Sequence, residues 1–463
     1  MSLLEPYKSI LDRTDAVGVR GRVAAVRGLT VSVEDFPVPV GAGCRIFRGD
    51  TTISARVVGF AGRHALVMPL GPTAGICHGA CVEMDSATQT VPVGPGLQGR
   101  VVDGLCRAID GGEQPAAEDR AGVWPGPIAP MRRRRITEPL STGVRAIDAM
   151  LTVGRGQRMG VFSGSGVGKS VLMGMIARNT DADVTVIALI GERGREVRDF
   201  IEKDLGPEGL KRSVVVASTS DESPLLRVQA AAVATSIAEY FRDRGCDVLL
   251  LMDSLTRFAA AQRQIGLAAG EPPATKGYPP SVFNLLPELL ERSGRTETGS
   301  ITGFYTVLAE GDDLSEPISD AVRSVTDGHI ALSRTLATRG HYPAVDCLNS
   351  VSRIMLDLVD SEHAEAARVV RRVISLHAEV EELLNVGAYR HGSNPKFDLA
   401  IGAIELVEEL LKQDITEDAD YEDTRRRLKA LHAEIQRMGG ESAVGSYQAA
   451  GESEHAKQQR SRS

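Results

Sequence analysis

Between Val17 and Met84 apolar and polar residues alternate in brief runs, GRVAAV, LTVSVE, ISARVVGF and HALVMPL, punctuated by glycine and proline. Alternation with a period of two is the mark of strands that bury one face. Several such strands in so short a span predict a small closed barrel, because closure removes unpaired edges. From residue 158 the pattern changes to unbroken apolar runs, VTVIALIG, SVVVAS, DVLLLMD and SITGFYTVLA, separated by helical segments such as GREVRDFIEKDL and SLTRFAAAQRQI. Runs that are apolar on both faces predict a mainly parallel sheet covered on both sides by helices, an α/β core. Ser223-Pro224 opens a long helix predicted to run through Arg244, with proline at its tolerated first position.

From Ser361 apolar residues recur every three or four positions, and Gly387 and Pro395 separate the segments, which predicts a helical domain. Glycine and proline are dense from Thr90 to Pro139, a stretch that reads as a docking linker. Inside it Arg132 to Arg135 form a basic run, expected to be solvated. These textures divide the chain into a lead and barrel (1–90), a linker and sheet-based core (91–360), a helical domain (361–438) and a tail (439–463) expected to be disordered.

One stretch carries evident chemistry. In RMGVFSGSGVGKSVLMGMIAR, Arg158 to Arg178, a short apolar strand breaks into a glycine-rich turn that opens a helix. Gly164, Ser165, Gly166, Val167 and Gly168 present backbone N–H groups to an anion, Lys169 adds a mobile cation, and the Ser170 hydroxyl suits Mg²⁺; Val171, next on the helix, is also expected to contact the nucleotide. Lys169 is expected on an exposed loop. The strict Walker A pattern has glycine where Ser163 stands. Ligands of such sheets bind at the carboxyl ends of the strands, where Glu192 and Asp253 also fall. Asp253 ends an apolar strand well after the loop, the Walker B setting, and is expected to hold Mg²⁺ through water. Glu192 is placed to polarise an attacking water. The structural alternative is that each carboxylate caps the helix that follows it.

Composition narrows the field. Hydrophobic residues are 42% and charged residues 25% of the 463, ordinary values for a globular protein with enough core for two or three domains. The net charge of −8 argues against broad nucleic-acid binding, and the barrel region offers only Phe36, Phe47 and Phe60 as stacking platforms. A structural collar is the expected role of the barrel. The six cysteines lack the paired spacing of a zinc site and are expected to be buried reduced thiols. The first fifteen residues show neither a secretory signal nor an anchor, so any membrane contact is expected to be peripheral.

The segments SGSGVGKS, GERGREVRDFIE, SDESPLLRVQAA, LLLMDSLTRFA, GYPPSVFNLLPELLERSG and GHYPAVDCLNSVSR together resemble the hexameric rotary-type ATPases. Within them, the chain resembles the flagellar and injectisome type III export ATPases over nearly its whole length. The resemblance implies a RecA-like core that binds ATP and Mg²⁺. It implies Glu192 as catalytic carboxylate, with Lys169 and Ser170 on phosphates and metal and Arg193 positioning the site. Tyr342 matches the position whose ring packs on adenine, and Arg353 matches an arginine finger that reaches a neighbour's nucleotide.

Expected from the resemblance are a cytoplasmic homohexamer at the inner face of the membrane and flagellar protein export by release of substrates from chaperones. Expected partners are export-gate and stalk or regulator proteins, chaperones and cargo, without nucleic acid. An injectisome ATPase is the nearest alternative. A synthase-type catalytic subunit stands further off because Glu192 and Arg353 coexist here, a Rho-like RNA translocase because of the acidic balance and aromatic-poor barrel, and a noncatalytic ring subunit because such paralogues lack the carboxylate at Glu192.

Overall fold

The computed structural model describes residues 18–86, 89–309 and 316–444. The predicted lead, and the tail beyond 444, lie outside the described residues. Among those described, no helix is long and apolar enough to cross a membrane.

The alternating amino-terminal runs form six antiparallel strands, Arg20–Arg27, Thr30–Glu34, Gly43–Arg48, Thr51–Ala61, His64–Pro69 and Cys81–Ser86, closed into a barrel. Alternate residues point inward, so Val23, Val31, Val33, Ile46, Val57, Val67 and Val82 fill one small core. Closure leaves the barrel no open edge.

The core sheet runs in the order Val351–Ser352, Gly328–Ala331, Arg158–Ser163, Ser300–Leu308, Asp247–Asp253, Val184–Glu192, Ser213–Thr219, Arg100–Val102. Pairings along this order are parallel except at the edge, where Val351–Ser352 runs antiparallel; a ninth strand, Gly294–Arg295, pairs antiparallel with the start of Ser300–Leu308. Val184 through Gly191 is buried throughout, as a strand covered on both faces requires. The helix Pro224–Asp243, capped by the Ser223 hydroxyl accepting from Leu226 N at 3.3 Å, covers one face. The helix Lys169–Asn179 covers the other. Arg100–Val102 comes from within the stretch predicted as a linker and pairs in parallel with Val214–Val216. Three residues amid glycine and proline are too short a run to register as a strand.

Helices Ser361–Asn385, Pro395–Leu411 and Tyr421–Val444 pack through Val370, Val373, Ala403, Val407, Leu428 and Ile435, and this core is continuous with the one behind the helix Lys169–Asn179. The last helix continues past Met438, where the sequence periodicity fades. A short helix, Arg145–Met150, is the anchor between domains: all six of its residues are buried. Arg145 Nε donates to Leu410 O at 2.9 Å, and its guanidinium also meets Lys412 O and the Glu417 carboxylate. His363 Nε2 donates to Ala149 O at 2.9 Å. Of the cysteines, Cys44, Cys106 and Cys347 are buried as expected, whereas Cys77 is exposed.

Candidate active site

Because the central strands are parallel, Ser163, Glu192, Thr219, Asp253 and Leu308 all end at one edge of the sheet. The phosphate loop turns there. Gly166 and Gly168 have φ of 78° and 97°, a left-handed backbone that side-chain-bearing residues rarely adopt. Ser163 is not among the residues with positive φ, so the departure from the glycine pattern falls where the backbone does not demand glycine. Its side chain is buried, and its Oγ has no hydrogen-bond partner among the described residues. Ser165, Gly166 and Ser170 are exposed, while Gly164 is buried and Val167 sends its side chain into the core.

Lys169 does not lie on an exposed loop. It is the first residue of the helix, its side chain is only 11% exposed, and its ammonium pairs with the Asp253 carboxylate, itself 9% exposed. Thr306 Oγ1 donates to the same Asp253 oxygen at 2.8 Å. Glu192 stands beside them. Burial pushes its carboxyl up to about 7, helped by the nearby Asp253 charge and a hydrogen bond shared with Glu196; Lys169 and Arg257 pull the other way. The same bond holds Glu196 below the usual carboxylate range. Arg193 is 76% exposed and reaches back to Glu196 Oε1 at 3.3 Å.

Tyr342 lies over the loop: a Cβ placed on Gly168 would meet its ring at 3.5 Å. Its ring, Val171, Leu172, Met175, Pro343 and Ile415 line a mostly apolar cleft of about 250 Å³ beside the phosphate loop, of a kind that accepts a flat base. Gln413 also lines it, but the Gln413 amide is engaged, donating to Gly143 O at 2.8 Å and accepting from Arg145 N at 2.8 Å. Gln413 N donates to Tyr342 O at 2.9 Å, so one wall of the cleft hangs from the segment between two helical-domain helices. Lys169, Glu192, Asp253 and Tyr342 are thus brought together.

Arg353 is not. Its N–H donates to Asp327 O, and Asp327 N donates to Arg158 O, which places it at the start of the strand whose far end carries the phosphate loop. Arg158 and Ser163 are about 16 Å apart along that strand.

Sequence reasoning passed over Glu196 and Arg257. Each lies four residues beyond a carboxylate it had singled out, in the first turn of the helix that follows that strand, and this placement was the available signal. The wall at Gln413 and Ile415 comes from far along the chain and leaves no local pattern.

Residues 143–352 match the ATP synthase alpha/beta family, nucleotide-binding domain, and residues 359–430 match the type III secretion EscN ATPase C-terminal domain. A flagellum-specific ATP synthase of Treponema pallidum is 54% identical over 93% of this chain and 96% of its own length. The chain belongs to the flagellar and type III secretion ATPases. A type 3 secretion system ATPase of Xanthomonas euvesicatoria is 51% identical, covering 90% of this chain and 95% of its own. Among solved structures, the assembled ATPase EscN with its central stalk EscO, from the enteropathogenic E. coli type III secretion system, superposes with a TM-score of 0.83 at 40% identity. That match covers 89% of this chain and all of the other. As a member of this family the chain is an ATPase of type III export, and its substrate is a nucleotide.

Proposed function

We propose that this chain is the catalytic subunit of a cytoplasmic homohexamer that hydrolyses MgATP to energise flagellar protein export, releasing cargo from chaperones at an export gate on the inner face of the membrane. The observation that carries the ring is the separation of Arg353 from the phosphate loop of its own chain. A finger that lies far from its own nucleotide has work to do only at a neighbour's. The assembled EscN–EscO structure supports a stalk partner.

The residues fit a magnesium ion. The Ser170 hydroxyl and the Asp253 carboxylate are the hard oxygen donors Mg²⁺ prefers, and a Lys169 ammonium drawn to phosphate would leave the Asp253 charge for a divalent cation to balance. Ser170 and, through water, Asp253 would hold it; bound there, the ion would neutralise phosphate charge. The chain's own groups do the rest. The loop N–H groups and Lys169 bind and orient the phosphates, and Tyr342 packs on the base. Glu192, ionised, takes the proton of a water attacking the γ-phosphorus as the bond to the ADP oxygen breaks. Arg193, through Glu196, positions Glu192. Arg353 of the adjacent subunit meets the charge that develops on the γ-phosphate, a service worth about 10³ to 10⁵ in rate in GTPases.

Mixing tests the reading. Lys169→Ala and Arg353→Ala are each expected to be nearly inactive, yet rings built from both contain interfaces with an intact loop facing an intact finger, and hydrolysis returns. Dead mixed rings, with co-assembly shown independently, overturn it. The secretion-system relative at 51% identity supports an injectisome as the second reading. Complementation of a strain lacking its flagellar export ATPase, against one lacking its injectisome ATPase, separates the two.

A further inference from the structure

Arg353 rests against a helix end. Its Nη2 donates to the carbonyl oxygen of Arg323 at 3.3 Å, and Arg323 sits in the last turn of the helix Pro317–Val325, where backbone carbonyls lack partners within the helix. The contact lays the Arg353 guanidinium against the backbone of a second arginine. The half-buried ring of His329 registers both: its pKa is lowered first by burial, then by the charge of Arg323, with a smaller push from Arg353.

Other arginines near this end of the sheet are matched. Arg158 pairs with Asp327 and Glu291, Arg133 with Glu291, and Arg295 with Glu138. Arg323 and Arg353, by contrast, meet no carboxylate among the described residues. Adjacent like charges repel, and a guanidinium presents a fork of donors suited to carboxylate or phosphate. Two such forks on touching residues, neither paired with an acid among the described residues, form half of an anion site.

We propose that Arg323 is a second cation of the finger, reaching with Arg353 toward the polyphosphate bound in the adjacent subunit. The inference rests on the ring reading above and assigns a further residue to its interface. Arg353 meets the charge that develops during transfer. Arg323, whose carbonyl holds Arg353, contributes a second guanidinium to the same phosphates.

The test uses full-length protein with MgATP. Arg323→Ala is expected to lower kcat by roughly 10- to 100-fold, the range for loss of a hydrogen bond to a charged group, with binding of a fluorescent ATP analogue retained. Arg323→Lys, which keeps charge without the fork, recovers part of the rate, and unchanged melting temperatures separate the effect from unfolding. Mixed rings then locate the residue. Arg323→Ala combined with Lys169→Ala regains activity, because some interfaces join an intact loop to an intact arginine pair. Arg323→Ala combined with Arg353→Ala does not, because every interface lacks one of the two.

Normal kcat in Arg323→Ala, or recovery with Arg353→Ala, overturns the proposal. So does failure to recover with Lys169→Ala when the Arg353→Ala and Lys169→Ala mixture does recover. If that control mixture is also dead, the ring reading itself fails and this inference falls with it.

Discussion

Lys169 and Asp253 neutralise each other in a nearly buried ion pair across the mouth of two parallel strands. The cation assigned to phosphate and the carboxylate assigned to metal are therefore one electrostatic unit. On the proposed reading, nucleotide binding would exchange the partners of both.

Removing one member of a buried pair leaves the other charged and unpaired, which costs about 3 kcal/mol or more. Lys169→Ala is therefore expected to abolish turnover and also to lower the melting temperature. Adding Asp253→Asn to it should restore most of the stability and none of the activity. Thermal unfolding of the two variants checks this; a single variant as stable as the parent contradicts the pair's role.

Glu192→Gln is expected to bind ATP and stall hydrolysis, because the amide keeps size and polarity but takes no proton. The parent's own pH dependence follows from a carboxyl held up to about 7. At low ATP, hydrolysis should rise with pH, roughly tenfold per unit below that value, and level above it. Stability runs the other way. Between the ordinary 4.5 and about 7 the folded chain keeps a proton that the unfolded chain releases, so this group's contribution falls as pH rises through that window. The variant should gain melting temperature over the parent at pH 8 more than at pH 5. Equal gains at both would mean that Glu192 is not raised.

Tyr342 presents a ring to the cleft, and its hydroxyl makes no hydrogen bond among the described residues. Tyr342→Phe should leave nucleotide affinity unchanged, while Tyr342→Ala should weaken it by about tenfold, the cost of losing one stacking platform. Equilibrium titration with a fluorescent nucleotide distinguishes the two. Equal losses would place the hydroxyl, not the ring, at the base.

Arg145 does not itself line the base cleft, yet it ties down the segment that forms one wall through Lys412 O, the Glu417 carboxylate and Gln413. Arg145→Ala should raise the dissociation constant for ATP several-fold, alongside a loss of stability. Glu417→Gln keeps a hydrogen-bond acceptor and should show a smaller version of the same shift. Unaltered affinity in a folded Arg145→Ala protein would show that the wall stands without this tie.

Much of this was legible in the chain. Period-two runs gave away the barrel, and unbroken apolar runs the buried parallel strands; parallel order alone then gathers Lys169, Glu192 and Asp253 at one edge. What stayed hidden was what distant segments do to one another. Arg100–Val102 becomes a strand only because Val214–Val216 offers it a ladder. Lys169 looked exposed because a loop residue usually is, and only the arrival of Asp253 beside it says otherwise. The wall formed by Gln413 and Ile415 depends on Arg145, Arg178 and Asn179 catching the segment, with Arg178 Nη2 donating to Ile415 O at 2.6 Å and Asn179 Nδ2 to Glu417 O at 3.1 Å.

That tethered wall has a thermodynamic corollary. The segment Lys412–Glu417 joins two helices of the helical domain and also borders the base cleft. Any partner whose binding to those helices displaces the segment must change the affinity for nucleotide, and by reciprocity nucleotide changes the affinity for that partner by the same factor. A load on the helices is then felt as a change in fuel affinity, and the fuel reports back to the load through the same few hydrogen bonds.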